Sequence, residues 1–204
     1  MSSNPKPINN RYYLMRHGES FANRNGLIVS SEQNALSDFG LTSRGAEQVM
    51  QAALATRLSR ETIIVTSDYR RALETAEIMK SVIDTVADIT IDANLRERGF
   101  GEYELQDHAF YEDVWRHDIA NPGKSQNGVE SVENTLDRGL KVISRLEQYY
   151  IGKTILLVGH GDVLQILRAH YRNINPRFHR SLSALANAQI RCLNKLEVAS
   201  KYTA

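Results

Sequence analysis

Two histidines far apart in the chain each follow a stretch that is typical of a β-strand, and a glycine follows each of them. His17 comes directly after the run at 11–16, and His160 comes one residue after the run at 154–158. Ligands of open α/β sheets bind just outside the carboxyl ends of the strands. If these two strands are neighbours in one sheet, we expect both histidines in one pocket.

The residues beside these histidines favour an anion as the ligand. Arg16 adds a fixed positive charge next to His17, and the glycine after each histidine allows a ligand to approach the backbone closely. A helix that begins there directs its free N–H groups and the positive end of its dipole at the same place. A third strand end, at Thr66, precedes Arg70 and Arg71, and guanidinium groups bind phosphate oxygens in a bidentate manner. The pattern predicts a phosphoryl pocket.

Five segments of the chain, in order, resemble the motifs of the histidine phosphatase superfamily, also called the phosphoglycerate mutase-like family. They are Leu14-Met15-Arg16-His17-Gly18-Glu19-Ser20 with Asn23 behind it, 41–48, 67–76, 95–102 and 158–162. An Arg-His-Gly tripeptide alone is a weak signal, whereas five motifs in family order are specific. Two residues depart from the family pattern, Tyr69 in place of an aliphatic residue and Leu105 where many relatives have glycine. Both are expected to change the rim of the pocket.

The resemblance implies that His17 is the nucleophile and that it forms a covalent phosphohistidine, which water then hydrolyses. A neutral imidazole suits this role near neutral pH, and it divides one difficult transfer into two easier displacements. A cluster of positive charge should also disfavour protonation of His17. The other pocket residues that the resemblance implies are the charge-stabilising His160 and the phosphate-binding Arg16, Asn23, Arg71 and Gly161, the last through its amide.

The resemblance also assigns a proton donor, Glu97, to the acid loop. This carboxyl group would protonate the leaving oxygen and then remove a proton from the attacking water. Glu102 and Glu104 are nearby alternatives for the same role. No metal and no cofactor are expected, because the chain has no His-Glu-x-x-His or paired-cysteine spacing, and an arginine beside the key histidine would repel a cation.

Several other polar and aromatic residues favour ordinary structural interpretations. We interpret Arg70 as a solvent-facing side chain or the partner of a nearby acid. Tyr111 and Trp115, at helical spacing, are interpreted as packing residues and not as a substrate platform. The histidines outside the phosphate motifs are interpreted as solvated surface residues: His108, His117, His170 and His179.

The segment between Glu104 and Glu130 bears on which reaction the pocket performs. Mutases of the family have a longer insertion there, with several basic residues for the substrate carboxylate, but here the segment is short and acidic, with only Arg116 and Lys124 as cations. It therefore favours hydrolysis of a small phosphorylated metabolite. A 2,3-bisphosphoglycerate-dependent phosphoglycerate mutase is the alternative. A non-catalytic interaction module that keeps only the fold is a further one.

Composition excludes several other classes of function. The chain has 204 residues, 42% of them hydrophobic, and 25 Lys and Arg against 24 Asp and Glu give a net charge of +1. Such a balance provides no field for gathering nucleic acid or an acidic membrane surface, and no apolar run is long enough to span a bilayer. The single cysteine, Cys192, excludes an internal disulfide and suits a reducing compartment. These features predict a cytoplasmic protein.

The order of elements predicts an α/β fold with a largely parallel sheet and helices on both faces, like that of phosphoglycerate mutases. We expect a polar leader at 1–10 and a single domain at 11–204 with a short helical insertion near 105–128. The predicted strands are 11–16, 62–66, 89–91, 154–158 and 189–193, the last of which could pair at the sheet edge in a homodimer. The predicted helices are 42–59, 71–83, 130–150 and one that begins near Asp162, with a polar helix start and loop at 19–38 and a surface loop at 121–128.

Overall fold

The computed structural model describes residues 5–121 and 124–193. Three parts of the sequence predictions therefore lie outside the described residues. They are the first four residues of the predicted leader, two residues of the predicted loop at 121–128, and the part of the predicted domain beyond residue 193. The described strands are β1 (Arg11–Arg16), β2 (Ile63–Thr66), β3 (Thr90–Ile91), β4 (Thr154–Gly159) and β5 (Ile190–Cys192). They form one sheet in the order β3-β2-β4-β1-β5.

The sheet is parallel except at one edge, as the sequence predicted. The pairs β1–β4, β2–β4 and β2–β3 are parallel, and β5 pairs antiparallel with β1. The described α-helices are α1 (Phe21–Arg24), α2 (Glu32–Ala35), α3 (Ser43–Ala55), α4 (Arg70–Ile83), α5 (Tyr111–Ala120), α6 (Val132–Tyr149) and α7 (Gly161–Tyr171). Short 3₁₀ turns lie at 93–95, 101–103, 108–110 and 176–181.

Alternating side chains of the central strands build a core on each face of the sheet. Leu14 and Leu157 pack in a cluster with apolar residues of α6 and α7, whereas Met15 and Val158 pack in a second cluster with residues of α3 and α4. Both faces of β1 and β4 are thus covered, which explains why these strands are apolar at nearly every position. The predicted fold class, with helices on both faces, is confirmed.

The helix α3 begins as predicted and ends earlier. Thr42 caps it, with its side chain accepting a hydrogen bond from the Gly45 amide, but the helix stops at Ala55 and not at Ser59. Thr56 is extended, and its hydroxyl accepts a bond from the Leu58 amide at 3.3 Å. Such a local side-chain bond competes with helix continuation. In the polar segment at 19–38, two four-residue helices replace the predicted single helix start and loop.

The insertion consists of a 3₁₀ turn followed by α5. At its entrance Leu105 has φ of 61°, in the left-handed region that a glycine occupies at little cost. The Leu105 amide donates to the Ile28 carbonyl at 2.8 Å, which ties the start of the insertion to the loop after α1. The departure from the family glycine is therefore accommodated with a strained backbone. No helix in the described part of the chain is long and apolar enough to cross a membrane.

Candidate active site

The parallel register of β1 and β4 brings the two histidine motifs together. Arg16 lies opposite Gly159, and the His17 amide donates to the Gly159 carbonyl at 3.0 Å. The centroids of the His17 and His160 rings are 5.2 Å apart, and the ring planes are tilted by 59°. Both side chains are buried, at 3% and 0% exposure. The pairing of β1 with β4, which the sequence suggested, thus places both rings side by side at the carboxyl ends of the strands.

The His17 ring is held in a defined orientation by two hydrogen bonds. Nδ1 lies 2.7 Å from the Gly18 carbonyl oxygen, and the Arg71 Nε–H donates to Nε2 at 3.1 Å. A carbonyl can only accept, so these contacts assign the proton to Nδ1 and a lone pair to Nε2. Burial, together with the charges of Arg71 and Arg16, keeps the pKa of His17 well below its usual value. The imidazole is therefore neutral, and its nucleophilic lone pair lies on Nε2, where it accepts the hydrogen bond of Arg71.

Three nitrogens around His17 are buried and have no hydrogen-bond partner among residues 5–121 and 124–193. They are Nε of Arg16, Nη1 of Arg71 and Nδ1 of His160. The guanidinium groups are fixed through their other nitrogens, which donate to the Leu185 carbonyl at 3.1 Å and the Val29 carbonyl at 2.9 Å. Buried polar atoms are normally satisfied, so such a group of unpaired atoms indicates a place for an anionic ligand.

The His160 ring is held by residues that follow the end of β2. Its Nε2 lies 3.0 Å from the Ser67 hydroxyl, and the Tyr69 ring contacts it edge-on with centroids 5.3 Å apart. Burial and then the charge of Arg71 keep the pKa of His160 well below its usual value. Tyr69, which departs from the family pattern, is buried, and its hydroxyl donates to the Ser30 carbonyl at 2.6 Å.

Glu97 is the acidic side chain that the structure places beside these groups. Its Oε1 accepts hydrogen bonds from the amides of Arg98 (2.9 Å), Asp162 (3.2 Å) and Val163 (3.4 Å). Oε2 lies 3.5 Å from the position that a Cβ on Gly161 would take, so the absence of a side chain there leaves room around it. Burial, together with the negative charge of Asp162, raises the pKa of Glu97.

The two alternative acids do not lie in this pocket. The Glu104 carboxylate accepts hydrogen bonds from Ser30, Ser31 and Asn34, and although burial opposes it, these bonds keep its pKa below the usual value. Glu102 is exposed. Of the three carboxyl groups considered from the sequence, Glu97 is the one that lies near Arg16 and Gly161, and its pKa is raised.

Asn23 and Gly161 lie at the pocket in different ways. Asn23 is in α1, and its Oδ1 accepts from the Ser20 amide and from Asn187 Nδ2, both at 3.1 Å. Asn187 also donates to the His17 carbonyl at 3.1 Å. Gly161 is the first residue of α7, so its amide belongs to the free N–H groups of a helix N-terminus. Asn187 was missed from the sequence because no motif or periodicity surrounds it.

A buried charged network lies behind Glu97 and was also missed. Arg98 makes a two-pronged ion pair with Asp118 of α5, with both N–O distances at 2.7 Å. The Asp162 carboxylate accepts from Trp115 Nε1 at 3.0 Å and from Arg98 at 3.4 Å. His179 approaches the same carboxylate at 3.7 Å. Helix α5 is thus fastened to Arg98 and Asp162, two of the three residues whose amides hold Glu97.

The interpretation of the remaining histidines is wrong for two of them. His179 and His170 are buried, with 0% and 6% exposure. His179 Nδ1 lies 3.0 Å from the Pro176 carbonyl oxygen, inside a 3₁₀ segment whose folding over α7 the local sequence does not indicate. His108 is exposed. The interpretation of Arg70 is confirmed, since its Nε donates to Glu74 at 2.8 Å.

A cavity of about 610 Å³ opens at Arg16, the residue before His17. Arg16 and Asn23 line one part of it, and the remaining lining residues are Leu27, His108, Ala109, Tyr111, Glu112 and Trp115. Tyr111 also packs edge-on against Phe100, with centroids 4.7 Å apart. The sequence interpretation of Tyr111 and Trp115 as packing residues therefore describes only part of their environment.

Comparisons with known proteins agree with this geometry. The profile of the histidine phosphatase superfamily (branch 1) matches residues 12–200. A Citrobacter koseri protein named "Probable phosphoglycerate mutase GpmB" is 34% identical over 161 residues, covering 76% of this chain and 71% of the relative. The α-ribazole phosphatase from Shigella flexneri is 25% identical, with a TM-score of 0.71 over 88% of each chain. Bacillus stearothermophilus YhfR is 25% identical, with a TM-score of 0.74 over 89% of each chain. The chain therefore belongs to the histidine phosphatase superfamily, as its five motifs indicated.

Proposed function

We propose that the protein hydrolyses phosphate monoesters of a small metabolite through a covalent phosphohistidine on His17. The observation that carries the proposal is the neutral His17 ring, whose Nε2 lone pair lies among unpaired nitrogens of Arg16, Arg71 and His160. A phosphoryl group bound there would meet a nucleophile and several charge-stabilising donors together. The name of the Shigella relative, a phosphatase, points in the same direction.

Two displacements complete the reaction without a metal or a cofactor. In the first, His17 Nε2 forms a bond to phosphorus while the bond to the ester oxygen breaks, and Glu97 gives its proton to the leaving alcohol. In the second, water attacks the phosphohistidine, ionised Glu97 takes one proton from that water, and the phosphorus–nitrogen bond breaks. Inorganic phosphate leaves, and both side chains return to their starting states. Arg16, Arg71 and His160 stabilise the phosphoryl oxygens in both steps.

The proton states of His17 and Glu97 predict a bell-shaped pH dependence of kcat/KM for an alkyl phosphate. The lowered pKa of His17 keeps the nucleophile neutral into acidic solution, and the raised pKa of Glu97 keeps the acid protonated at higher pH. The rate should therefore fall on the alkaline side as Glu97 ionises. Glu97→Gln should remove that alkaline limb and lower kcat by about 10²-fold, because the amide cannot transfer a proton.

A less basic leaving group serves as the control for this prediction. An aryl phosphate needs little help from an acid as the ester bond breaks, so Glu97→Gln should slow formation of the phosphohistidine much less with this substrate. An unchanged alkaline limb in Glu97→Gln would assign the proton transfer to another group. Glu104→Gln provides a matched carboxyl variant outside the pocket, and it should keep the wild-type pH profile.

Trapping of the covalent intermediate tests the proposed function directly. The protein is mixed with phosphate monoesters, quenched in alkali, digested and examined by mass spectrometry. We expect an acid-labile phosphoryl group on the peptide that contains His17 and none on the peptide that contains His160. Turnover without any phosphopeptide, or with the phosphoryl group on His160, would contradict the proposal. Absence of both turnover and adduct would favour the non-catalytic alternative.

A mutase is the second candidate, because the Citrobacter koseri relative carries that name. A mutase would return the phosphoryl group of His17 to a second hydroxyl of phosphoglycerate before water attacks. Incubation with 3-phosphoglycerate and its bisphosphate primer distinguishes the two, since a mutase would form 2-phosphoglycerate much faster than free phosphate. The acidic insertion favours phosphate release. A cytoplasmic location, the absence of nucleic-acid and membrane partners and a homodimer stay predictions from the sequence.

A further inference from the structure

Glu97 lies in an irregular segment, the acid loop at 93–99, which begins with a 3₁₀ turn and is otherwise neither helix nor strand. A side chain of α6 holds the backbone of this loop. Arg138 Nη1 donates to the carbonyls of Asn94 at 2.8 Å and Arg96 at 2.7 Å, and Nη2 donates to the carbonyl of Glu97 at 3.1 Å. One guanidinium group thus binds three carbonyl groups of the acid loop.

A carboxylate next to α6 fixes this guanidinium group and the far end of the acid loop. Arg138 donates to Glu130 through Nε at 2.8 Å and through Nη2 at 3.0 Å. The Gly99 amide donates to the same carboxylate at 3.1 Å, and the Glu130 amide donates to the Gly99 carbonyl at 2.8 Å. Although burial opposes it, the bonds from Arg138 and Gly99 keep the pKa of Glu130 below its usual value. The Arg138–Glu130 pair therefore holds the loop on both sides of Glu97.

The contact of Arg138 with the Glu97 carbonyl extends to the Glu97 carboxyl group through one peptide unit. The Glu97 carbonyl and the Arg98 N–H belong to the same planar group, so fixing the first sets the direction of the second. That N–H donates to Glu97 Oε1 at 2.9 Å, the shortest of the three amide bonds to this oxygen. A peptide group whose carbonyl is bound by a cation is also a better donor.

The groups that bind the phosphoryl group do not depend on this peptide unit. Arg16, His17 and Arg71 are held by carbonyl oxygens outside the acid loop. A general acid must lie within hydrogen-bond reach of the oxygen that it protonates, and a displacement of about 1 Å can cost about 10²-fold in rate. Loss of the contacts of Arg138 should therefore affect proton transfer and leave phosphoryl binding largely intact.

We propose that Arg138, paired with Glu130, is a positioning residue of the reaction. It fixes the peptide group that follows Glu97 and thereby holds the Glu97 carboxyl group where it can protonate the leaving oxygen. The inference rests on the proposed function of His17 and Glu97, and it adds a residue that acts through Glu97.

The dependence of the Arg138→Leu variant on the leaving group tests this proposal. For an alkyl phosphate, whose leaving oxygen needs a proton, kcat should fall by about 10-fold or more. KM should change little, because Arg16 and Arg71 still bind the phosphoryl group. For an aryl phosphate, rapid quenching should show phosphohistidine forming on His17 at nearly the wild-type rate, since this leaving group needs little help from an acid.

A double-variant cycle with Glu97→Gln shows whether Arg138 acts through Glu97. Residues that act as one unit have effects that do not add. We therefore expect Arg138→Leu to slow the Glu97→Gln enzyme by less than about 2-fold with the alkyl phosphate. Multiplication of the two single losses in the double variant would contradict the proposal.

Arg138→Lys separates the placement of Glu97 from the effect of charge. Burial, Arg71 and His17 lower the pKa of His160, and the charge of Arg138 adds to them. Lysine keeps that charge but has a single nitrogen, which cannot bind a carboxylate and three carbonyls together. The lysine variant should therefore lose most of the alkyl phosphatase rate, as Arg138→Leu does.

Arg145→Leu is the matched control, because Arg145 lies on the same helix and forms its ion pair with Asp92, just before the acid loop. It should keep the wild-type ratio of alkyl to aryl rates. The side chains of Arg138 and Glu130 are 16% and 23% exposed, so water can reach the groups that a substitution frees. Circular dichroism checks folding. If Arg138→Leu does not fold, Glu130→Gln replaces it, and a smaller loss confined to the alkyl phosphate is expected.

The outcomes separate this inference from the proposed function. An equal loss with both esters, a loss mainly in KM, full activity of the leucine variant, or recovery of the wild-type rate in Arg138→Lys would overturn the role of Arg138, even if phosphohistidine forms on His17. Failure of the wild type to form phosphohistidine would overturn the proposed function and this inference with it. A loss confined to the alkyl phosphate and absent from the Glu97→Gln background supports both.

Discussion

Replacement of His17 by alanine is expected to lower kcat by about 10⁴-fold or more, because the variant loses the proposed nucleophile. Alanine has no lone pair to offer, and water in the same place would have to attack the ester without the two-step route. No phosphopeptide should be trapped. Phosphate release from an aryl phosphate and from an alkyl phosphate provides the measurement, with circular dichroism as the check that the buried site still folds.

The His160→Ala variant distinguishes the roles of the two rings. The buried His160 ring has its centroid 5.2 Å from that of His17. Its Nε2, however, is engaged in a hydrogen bond with the Ser67 hydroxyl. We expect His160→Ala to be slower than the wild type and still to form phosphohistidine on His17. Retention of more than about 1% of kcat in His17→Ala, or trapping of the phosphoryl group elsewhere in the wild type, would contradict the assignment of the nucleophile.

Replacement of Asp118 by alanine should destabilise the protein by about 3–5 kcal/mol, because Arg98 would keep a buried charge without its main partner. Arg98 is 1% exposed and Asp118 is 6% exposed. Two hydrogen bonds of 2.7 Å join the guanidinium and the carboxylate, and the contact of Arg98 with Asp162 is longer, at 3.4 Å. Urea denaturation of wild type and variant gives the difference in free energy of unfolding.

The same helix supplies the control. Asp113 pairs with Arg116 at 2.8 Å, but both side chains are exposed to solvent. Exposed ion pairs contribute at most about 1 kcal/mol, so Asp113→Ala should change the stability little. An equal effect of the two substitutions would show that burial of the Arg98–Asp118 pair has no special consequence.

The strands and the position of the pocket could be predicted from local sequence. Apolar runs that end in Arg16-His17 and Gly159-His160 are recognisable without a structure, since burial on both faces of a parallel sheet requires continuous apolar character. The choice between adjacent arginines also agrees with the geometry, because Arg71 contacts His17 and Arg70 pairs with Glu74. Here the register of the family motif, which places the phosphate-binding arginine directly before Ala72, was enough.

Residues whose roles depend on distant contacts could not be predicted in the same way. His179 lies beside Asp162 because a 3₁₀ segment folds back over α7, and Asn187 reaches the His17 carbonyl across 170 positions. Neither residue lies in a segment where hydrophobic residues repeat at helical or strand spacing. The end of α3 could not be predicted for a related reason, although the contact is local. The Thr56 hydroxyl accepts a hydrogen bond from the Leu58 amide, which competes with continuation of the helix, and the spacing of hydrophobic residues does not indicate such a bond.

The attachment of α5 has a consequence for how this enzyme could acquire new substrates. Trp115 binds Asp162 and Asp118 binds Arg98, while the backbone amides of Asp162 and Arg98 hold Glu97. The helix that lines the cavity and the carboxyl group of Glu97, the proposed acid, therefore share their anchors. Glu112 lines the cavity and takes no part in these anchors, so its substitution leaves them in place. Mutations at the anchors would displace the acid, so divergence of specificity should be confined to the cavity-facing positions of this one helix.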